Sequence, residues 1–328
     1  MFFLETLVVL DLKPYSSITI FVNDIYQKTL SKKAVFKGIG LHSGTISTIN
    51  VLPAKENEGI TFKRVDLEKN NLVKANFNNV TSAKLCTTLE NNFGVKVSTV
   101  EHLLAAFYII GIDNALVEMD NEEVPIMDGS SKDFLNTFKK INLIEQSKKR
   151  KYLKIQKRIE LVDGKRKISI EPNDTTLKVN FQLNYMNKII GEQKNSINFQ
   201  KDDLNDISNS RTFCLFEDIE KIKKFGLAKG GSLDNAVVVG SDKILNKDGL
   251  RNNKEFVNHK ILDLAGDFFL SGYRVIGQVD CYQGGHELTN LFLRKIFSQN
   301  LDYQIIELED FKISKKFNTD SQKIAVNA

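Results

Sequence analysis

Residues 259–269 read HKILDLAGDFF, and the rest of the chain can be organised around this stretch. On a helix of about 3.6 residues per turn, His259, Asp263 and Asp267 fall along one line. Nearly every other residue is apolar, so we expect a buried helix with a polar seam. A buried carboxylate without a partner is costly, so the seam requires a counter-charge or a metal ion. An ordinary His–Asp pair on a half-exposed helix is the alternative for this stretch alone.

The composition is typical of a soluble globular protein. The chain has 328 residues, 41% hydrophobic and 27% charged, which is enough for two domains with sizeable cores. Its net charge of +5 is diffuse, which is compatible with an anionic substrate and does not favour nucleic acid. Three widely spaced cysteines predict a reducing cytoplasm rather than disulfides. We find neither a signal peptide nor an apolar run of the roughly 18 residues that would span a membrane.

A second histidine begins an apolar helix in the first half of the chain. Ser98 and Glu101 match a capping box, which would explain Glu101 but not His102 beside it. The helices that begin near His102 and His259 each end in a glycine-containing turn that is followed by an apolar strand. This repetition indicates two related α+β halves. If the two helix starts meet, His102, His259 and Asp263 form a metal site with one open position.

The basic run from Ser147 to Lys151 predicts the boundary between these halves. Alternating apolar residues predict mostly antiparallel sheets, including strands over residues 153–161 and 275–282. The expected divisions are an N-terminal extension over 1–25 with a strand over 17–22, a first domain over 26–146, a linker over 147–152, a second domain over 153–310 and a tail over 311–328. A last helix is expected over 288–298.

The chain has only four histidines: His42, His102, His259 and His286. Each lies in a segment that is rich in glycine or that predicts an apolar helix with polar residues on one side. Two histidines and one carboxylate with an open position fit a catalytic zinc ion, which lowers the pKa of its water to about 7. They also fit the iron triad of a non-haem oxygenase. Glu101 favours hydrolysis, because a hydrolase needs a base beside the metal-bound water and an oxygenase does not.

Seven motifs, in order, resemble the UDP-3-O-acyl-N-acetylglucosamine deacetylases of Gram-negative lipid A biosynthesis. They are GIGLHSG at 38–44, STVEH at 98–102, PIMDGS at 125–130, SRTF at 210–213, GGS at 230–232, HKILD at 259–263 and GH at 285–286. The resemblance implies a cytoplasmic, monomeric zinc hydrolase, with Fe²⁺ as the alternative ion in the cell. The implied substrate is UDP-3-O-[(3R)-3-hydroxyacyl]-N-acetylglucosamine, from which acetate would be removed to leave a free amine. The implied fold is two similar α+β domains resembling ribosomal protein S5 domain 2, each with helices layered on a mostly antiparallel sheet, and the active site at their interface.

The resemblance also implies catalytic roles for matching residues. The expected metal ligands are His102, His259 and Asp263. Glu101 is expected to act as the general base on the metal-bound water. His286, oriented by Asp267, is expected to stabilise the oxyanion and protonate the leaving amine, and Thr212 to donate a hydrogen bond to the oxyanion.

Substrate-binding residues follow from the same resemblance. Lys260 is expected to contact the diphosphate. An insert over about residues 184–232 is expected to form an apolar passage for the acyl chain. Phe213 and the close-approach glycines Gly230 and Gly231 are expected to line it, although Phe213 could equally be ordinary core.

Three other functions remain open at this stage. An iron oxygenase with the same triad would require oxygen and a 2-oxo acid and would be indifferent to Glu101. A binding module without catalysis would retain no metal. A metal-dependent amidase for another N-acetyl sugar would accept N-acetylglucosamine without the nucleotide or the acyl chain.

Overall fold

The computed structural model describes residues 25–174 and 176–308. Within them the chain forms twenty strands and six α-helices, so the mixed α+β content predicted from the sequence is confirmed. The described residues include no helix that is long and apolar enough to cross a membrane. The predicted strand over 17–22, the tail over 311–328 and nearly all of the predicted N-terminal extension lie outside the described residues.

In the first half of the chain, the described residues form ten strands and two α-helices. The strands are β1 (Tyr26–Leu30), β2 (Ala34–Ile39), β3 (Ile46–Pro53), β4 (Ile60–Arg64), β5 (Leu72–Lys74), β6 (Val80–Ser82), β7 (Thr88–Glu90), β8 (Lys96–Val97), β9 (Ala115–Met119) and β10 (Leu143–Lys149). The helices are α1 (Glu101–Ile110) and α2 (Lys132–Ile141), with a short 3-10 helix at Phe77–Asn79.

The part of the second half that the structure describes contains ten strands and four α-helices. The strands are β11 (Lys151–Ile155), β12 (Ile159–Asp163), β13 (Arg166–Glu171), β14 (Lys178–Asn184), β15 (Glu192–Asn198), β16 (Phe213–Leu215), β17 (Val237–Val239), β18 (Arg274–Ile276), β19 (Gln278–Tyr282) and β20 (Tyr303–Glu307). The helices are α3 (Asn205–Asn209), α4 (Ile219–Lys224), α5 (Glu255–Phe269) and α6 (His286–Ser298), with a short 3-10 helix at Phe216–Asp218.

Each half contains a five-stranded sheet, and the two sheets are built in the same order. The first sheet runs β2-β3-β9-β4-β5 and the second runs β12-β13-β19-β14-β15. In both, the central strand follows a long buried helix in the chain, and it pairs antiparallel with one neighbour and parallel with the other. Alternate residues of a strand face the core, as in β14, where Val179, Phe181 and Leu183 are buried.

Two stretches predicted as single strands are each divided between two sheets. The prediction of one strand over residues 153–161 is wrong, because β11 pairs with β18 and β20 whereas β12 belongs to the five-stranded sheet. The strand predicted over 275–282 is likewise interrupted at Gly277, between β18 and β19. A Cβ atom on Gly277 would lie 3.0 Å from Ile155 and 3.1 Å from Ile170, so a side chain would be crowded where the chain changes sheets.

The segment predicted as a linker, residues 147–152, is part of two strands. Its first residues end β10, which pairs with β1, and its last residues begin β11. Arg150 between them is only 2% exposed. Its guanidinium donates to the Asp113 carboxylate at 2.7 Å and to the Gly111 carbonyl at 2.9 Å. The domain boundary placed in this segment stays a prediction.

Helices α1 and α5 cross at very short range at Gly266. A Cβ atom there would lie 2.1 Å from the carbonyl oxygen of Glu101 and 3.1 Å from the backbone nitrogen of Ala105. The crossing places the first turn of α1 against the C-terminal half of α5. The capping box predicted from Ser98 and Glu101 is wrong. The N-cap of α1 is Val100, no side chain of the described residues caps the helix, and the Glu101 carboxylate instead accepts a hydrogen bond from the Thr87 backbone N–H.

Candidate metal centre and active site

Three potential metal ligands meet where α1 and α5 cross. His102 lies in the first turn of α1, and His259 and Asp263 lie one turn apart on α5. Their ligand atoms all lie within 4.8 Å of one another. Asp263 Oδ1 is 3.4 Å from His102 Nε2 and 3.3 Å from His259 Nε2. The structure therefore brings together, from distant parts of the sequence, the three residues predicted as ligands.

The protonation of this group suits a divalent cation. His259 Nδ1 lies 3.1 Å from the Ser210 carbonyl oxygen. Because a carbonyl only accepts, Nδ1 carries the hydrogen and Nε2 is left with a lone pair. Burial lowers the pKa of His259 to about 3, despite the opposing attraction of Asp263, so its ring is neutral. Asp263 Oδ1 is buried and has no hydrogen-bond partner within residues 25–174 and 176–308, whereas its other oxygen binds Lys260 Nζ at 2.9 Å. These donors fit a metal ion.

Glu101 lies beside the ligand group in an almost fully buried position. Its Oε2 accepts the Thr87 backbone N–H at 3.1 Å, and its Oε1 lies 3.8 Å from His286 Nε2. Burial raises the pKa of Glu101, and Asp263 and Asp267 add to this effect, although His286 and His102 oppose it. A carboxylate with a raised pKa is a stronger proton acceptor than an exposed one.

His286 has the opposite electrostatic environment. It begins α6, two residues before the predicted start of that helix, and its Nδ1 lies 2.7 Å from Asp267 Oδ2. Burial lowers the pKa of His286, but the attraction of Asp267, Asp263 and Glu101 outweighs burial and raises that pKa to about 10. Thr87 Oγ1 donates to the other oxygen of Asp267 at 2.7 Å and fixes that carboxylate. His286 is therefore a cationic acid near neutral pH.

Two adjoining cavities open from this centre. A cavity of about 310 Å³ is lined by the three ligands, Glu101, His286 and Lys260. Its lining also includes Arg166, for which no function is predicted from the sequence. A second cavity of about 360 Å³ is lined mainly by apolar side chains, among them Leu41, Ile219 and Leu245. Thr212 and Phe213 line both cavities, so they lie at the junction between the polar and the apolar space.

The remaining predicted residues occupy different environments. Phe213 is half-buried, with its ring edge-on to Phe256 at 4.9 Å and below Lys260 Nζ at 5.6 Å. Gly230 is a close-approach glycine, because its Cβ atom would lie 2.2 Å from the Gly40 carbonyl oxygen. The same expectation is wrong for Gly231, although Gly231 lines the apolar cavity. Its Cβ atom would make only ordinary contacts, at 3.4 Å or more.

Glu123 holds the GIGLHSG turn in place, a role that the sequence does not reveal. Its carboxylate accepts the backbone N–H groups of His42 at 2.8 Å and Ser43 at 2.7 Å. It also accepts the Thr99 hydroxyl at 2.8 Å, two residues before Glu101. A single acid in a polar turn has no periodic pattern around it, and one of its partners, His42, lies 81 positions away in the sequence. Burial lowers the pKa of His42, although the neighbouring Glu123 carboxylate opposes this effect.

A buried ion pair between Arg211 and Glu255 fixes the backbone next to His259. Arg211 Nε donates to Glu255 at 2.8 Å, and another guanidinium nitrogen reaches the Gly249 carbonyl at 2.8 Å. The Glu255 side chain is fully buried in the first turn of α5. Because Arg211 follows Ser210, the pair fixes the carbonyl that orients the His259 ring. The SRTF motif contains the arginine, but no sequence pattern indicates its partner.

Comparison with known proteins identifies one family. The family model described as UDP-3-O-acyl N-acetylglycosamine deacetylase (LpxC) matches residues 27–298. A UDP-3-O-acyl-N-acetylglucosamine deacetylase of Geobacter sp. (strain M21) is 40% identical over 295 residues, which cover 90% of this chain and 96% of that protein. Proteins with the same name from Shewanella violacea and Haemophilus ducreyi are 38% and 37% identical, each over 87% of this chain and 94% of its own length.

Proposed function

The chain belongs to the UDP-3-O-acyl-N-acetylglucosamine deacetylase family, and on this premise we propose that it hydrolyses the acetamide of a 3-O-acylated UDP-N-acetylglucosamine. The products are acetate and a free amine, and the reaction belongs to lipid A biosynthesis. The resemblance drawn from seven motifs is confirmed by the family match over residues 27–298 and by relatives that are 37%, 38% and 40% identical. One observation carries the proposal: a buried His-His-Asp group lies beside a carboxylate and an imidazole whose pKa values are both raised.

We propose Zn²⁺ as the ion held by His102, His259 and Asp263, with Fe²⁺ as the alternative in the cell. Two imidazole nitrogens and one carboxylate oxygen with an open position are typical of catalytic zinc. When bound, the ion supplies Lewis-acid activation of the amide carbonyl and of the attacking water. The unpartnered Asp263 Oδ1 and the lone pair on His259 Nε2 support this assignment.

Glu101 is the proposed general base. Amide hydrolysis requires a group that removes a proton from water as the water attacks the carbonyl carbon. The Glu101 carboxylate adjoins the ligand His102, and one of its oxygens is held by the Thr87 N–H. Burial raises its pKa and so increases its proton affinity, and the nearby His286 cation opposes this rise.

His286 is the proposed general acid. The amine leaves poorly unless its nitrogen is protonated, so the acid must be a different group from the base. Asp267 holds Nδ1–H of His286, which leaves Nε2–H to donate first to the oxyanion and then its proton to the amine. Thr212 is the proposed second hydrogen-bond donor to the oxyanion, because it lines the polar cavity with the ligands.

The two cavities match the two ends of the substrate. We propose that the acyl chain lies in the apolar cavity beside Phe213 and Gly231, within the predicted insert over residues 184–232. We propose that Lys260 contacts the diphosphate of the substrate. Arg166 is the proposed second contact of the diphosphate, because it lines the polar cavity and a planar guanidinium pairs well with phosphate oxygens.

We further propose that the chain is a cytoplasmic monomer of two similar domains, 26–146 and 153–310, each resembling ribosomal protein S5 domain 2. The matching strand order of the two five-stranded sheets supports this division. The active site would then lie at the interface, since His102 belongs to one domain and His259 and Asp263 to the other.

Metal analysis combined with an acetate-release assay tests the proposed function. We expect about one zinc or iron per chain and rapid acetate release from the acylated UDP-sugar. UDP-N-acetylglucosamine without the acyl chain should react poorly, because it leaves the apolar cavity empty. Rapid release from simple N-acetylglucosamine would instead support an amidase for another sugar, and turnover that requires oxygen and a 2-oxo acid would support an oxygenase. Absence of acetate release from the metal-loaded protein would overturn the proposal.

A further inference from the structure

A basic segment with an exposed aromatic residue lies at the mouth of the apolar cavity. Residues 221–229, which we call the basic segment, read KIKKFGLAK and contain four lysines and no acidic residue. All four lysines are exposed, and Phe225 among them is 83% exposed. Ile222 and Lys223 line the apolar cavity, so the basic segment is continuous with it.

Further apolar side chains are exposed at the same mouth. Leu85, Phe216 and Leu233 line the cavity, yet 45%, 60% and 48% of their surface remains exposed. We call these three side chains and Phe225 the apolar rim. A group of large exposed apolar residues around a cavity marks an interaction surface rather than ordinary protein surface.

The charges around the rim are distributed unevenly. Acidic residues Glu217, Asp218 and Glu220 precede the basic segment, and Asp218 pairs with Lys221 at 3.2 Å. Among the described residues, Lys223, Lys224 and Lys229 have no ion-pair partner. Glu217 and Glu220 have none either, so the three acidic residues and four lysines of residues 217–229 leave a net charge of +1, with the lysines gathered around Phe225. The end of the segment around Phe225 therefore presents unneutralised positive charge next to exposed apolar surface.

We propose that the apolar rim and the basic segment dock this protein on the surface of an anionic lipid bilayer. Lysines near such a surface are attracted to acidic head groups, and exposed aromatic rings are favoured at the boundary between head groups and acyl chains. In this orientation the mouth of the apolar cavity faces the lipid. Assigning that cavity to the acyl chain of the substrate rests on the proposed function, whereas the docking surface itself depends only on the exposure and charge of these residues.

Sedimentation with lipid vesicles tests the docking surface. Full-length protein is mixed with vesicles of phosphatidylglycerol and phosphatidylcholine, or of phosphatidylcholine alone. We expect binding to the anionic vesicles that weakens strongly at about 1 M salt, where the Debye length falls to about 3 Å. Lys224→Gln should weaken binding about fivefold. Phe225→Ser should weaken it about tenfold or more. Neither residue lines either cavity, so acetate release from dispersed substrate should be unchanged in both variants.

Phe93→Ser is the matched control, because Phe93 is 69% exposed but lies in the turn between β7 and β8 and lines neither cavity. This variant should bind the anionic vesicles like the wild type. The proposal is overturned if the wild type stays in the supernatant, if it binds both kinds of vesicle equally, or if Phe225→Ser binds as well as Phe93→Ser. An active deacetylase that does not bind vesicles would contradict only the docking surface. Vesicle binding without acetate release would contradict only the proposed function.

Discussion

Replacing Gly266 by alanine tests whether the close crossing of α1 and α5 builds the active site. In an ordinary helix interior this substitution stabilises a protein by up to about 1 kcal/mol, because alanine has the higher helix propensity. Here the new Cβ atom would lie 2.1 Å from the Glu101 carbonyl oxygen and 2.9 Å from its carbonyl carbon. Both atoms belong to the backbone, so no side-chain rotation can relieve the overlap. Helix α1 must move by on the order of 1 Å to restore normal contact distances.

That displacement affects both stability and activity. Overpacking of a buried contact costs about 1–3 kcal/mol, which exceeds the gain in helix propensity and reverses the usual sign of the substitution. Because Glu101 and His102 begin α1, the same shift moves the base and one metal ligand away from Asp263. A misplacement of about 1 Å can reduce kcat/KM about 10²-fold.

Urea unfolding of the metal-free variant and acetate-release kinetics of the metal-loaded variant measure these two effects separately. Gly231→Ala is the control for stability, because its Cβ atom would make ordinary contacts, the shortest at 3.4 Å. We expect Gly266→Ala to have a lower midpoint of unfolding than both the wild type and this control. A Gly266→Ala protein that is as stable as the wild type and has unchanged kcat/KM would refute the reasoning.

Three further predictions follow from the site geometry. Glu101→Gln should lower kcat on the order of 10²-fold or more, with the metal content unchanged in elemental analysis, because the variant cannot accept the proton; Glu118→Gln on β9 is the control. Arg211→Lys should weaken metal binding about 10- to 100-fold in a chelator competition, because lysine cannot form the paired hydrogen bonds that fix the Ser210 carbonyl. Exposed Arg158→Lys should leave metal binding unchanged. In the metal-free protein, the ion pair between Asp267 and His286 stabilises the folded state. This contribution is complete below the ordinary histidine pKa of about 6.5. This stabilisation is lost as pH rises through the folded-state pKa of about 10, so the difference in unfolding free energy between the wild type and Asp267→Asn should shrink between these pH values. A constant difference would exclude the His286 ion pair as its source.

The ligand group could be predicted from the sequence because its residues are rare and regularly spaced. His259 and Asp263 lie one helical turn apart in an apolar stretch, and few histidines are available elsewhere in the chain. Glu123 and Glu255 could not be predicted, because each is an ordinary acid whose donors come from distant segments. Gly266 was equally inconspicuous, since a glycine within a helix acquires meaning only when a second helix approaches it.

The interrupted strands illustrate the same limitation. Residues 153–161 alternate like one strand, but the choice of sheet depends on which partner strands lie on either side. The pairing of β11 with β18 and β20 involves residues more than 100 positions away, which local periodicity does not record. The capping box failed for a related reason. Glu101 matched a local pattern, but its carboxylate is turned towards Thr87 and the site.

The opposite functions of Glu101 and His286 follow from the signs of the charges around them, since both side chains are almost fully buried. Burial disfavours the charged form of each, so it raises the pKa of the carboxylate and lowers that of the imidazole. Three carboxylates surround His286 and reverse the effect of burial on its pKa. Glu101 faces two other carboxylates, Asp263 and Asp267, which reinforce the effect of burial. Moving one acidic group away from this cluster would therefore lower the pKa of both groups, which weakens Glu101 as a base and leaves a smaller fraction of His286 protonated. For this reason Asp267→Asn should lower the proton affinity of both groups, which a pH–rate profile of the metal-loaded variant would show as a shift of both limbs towards lower pH.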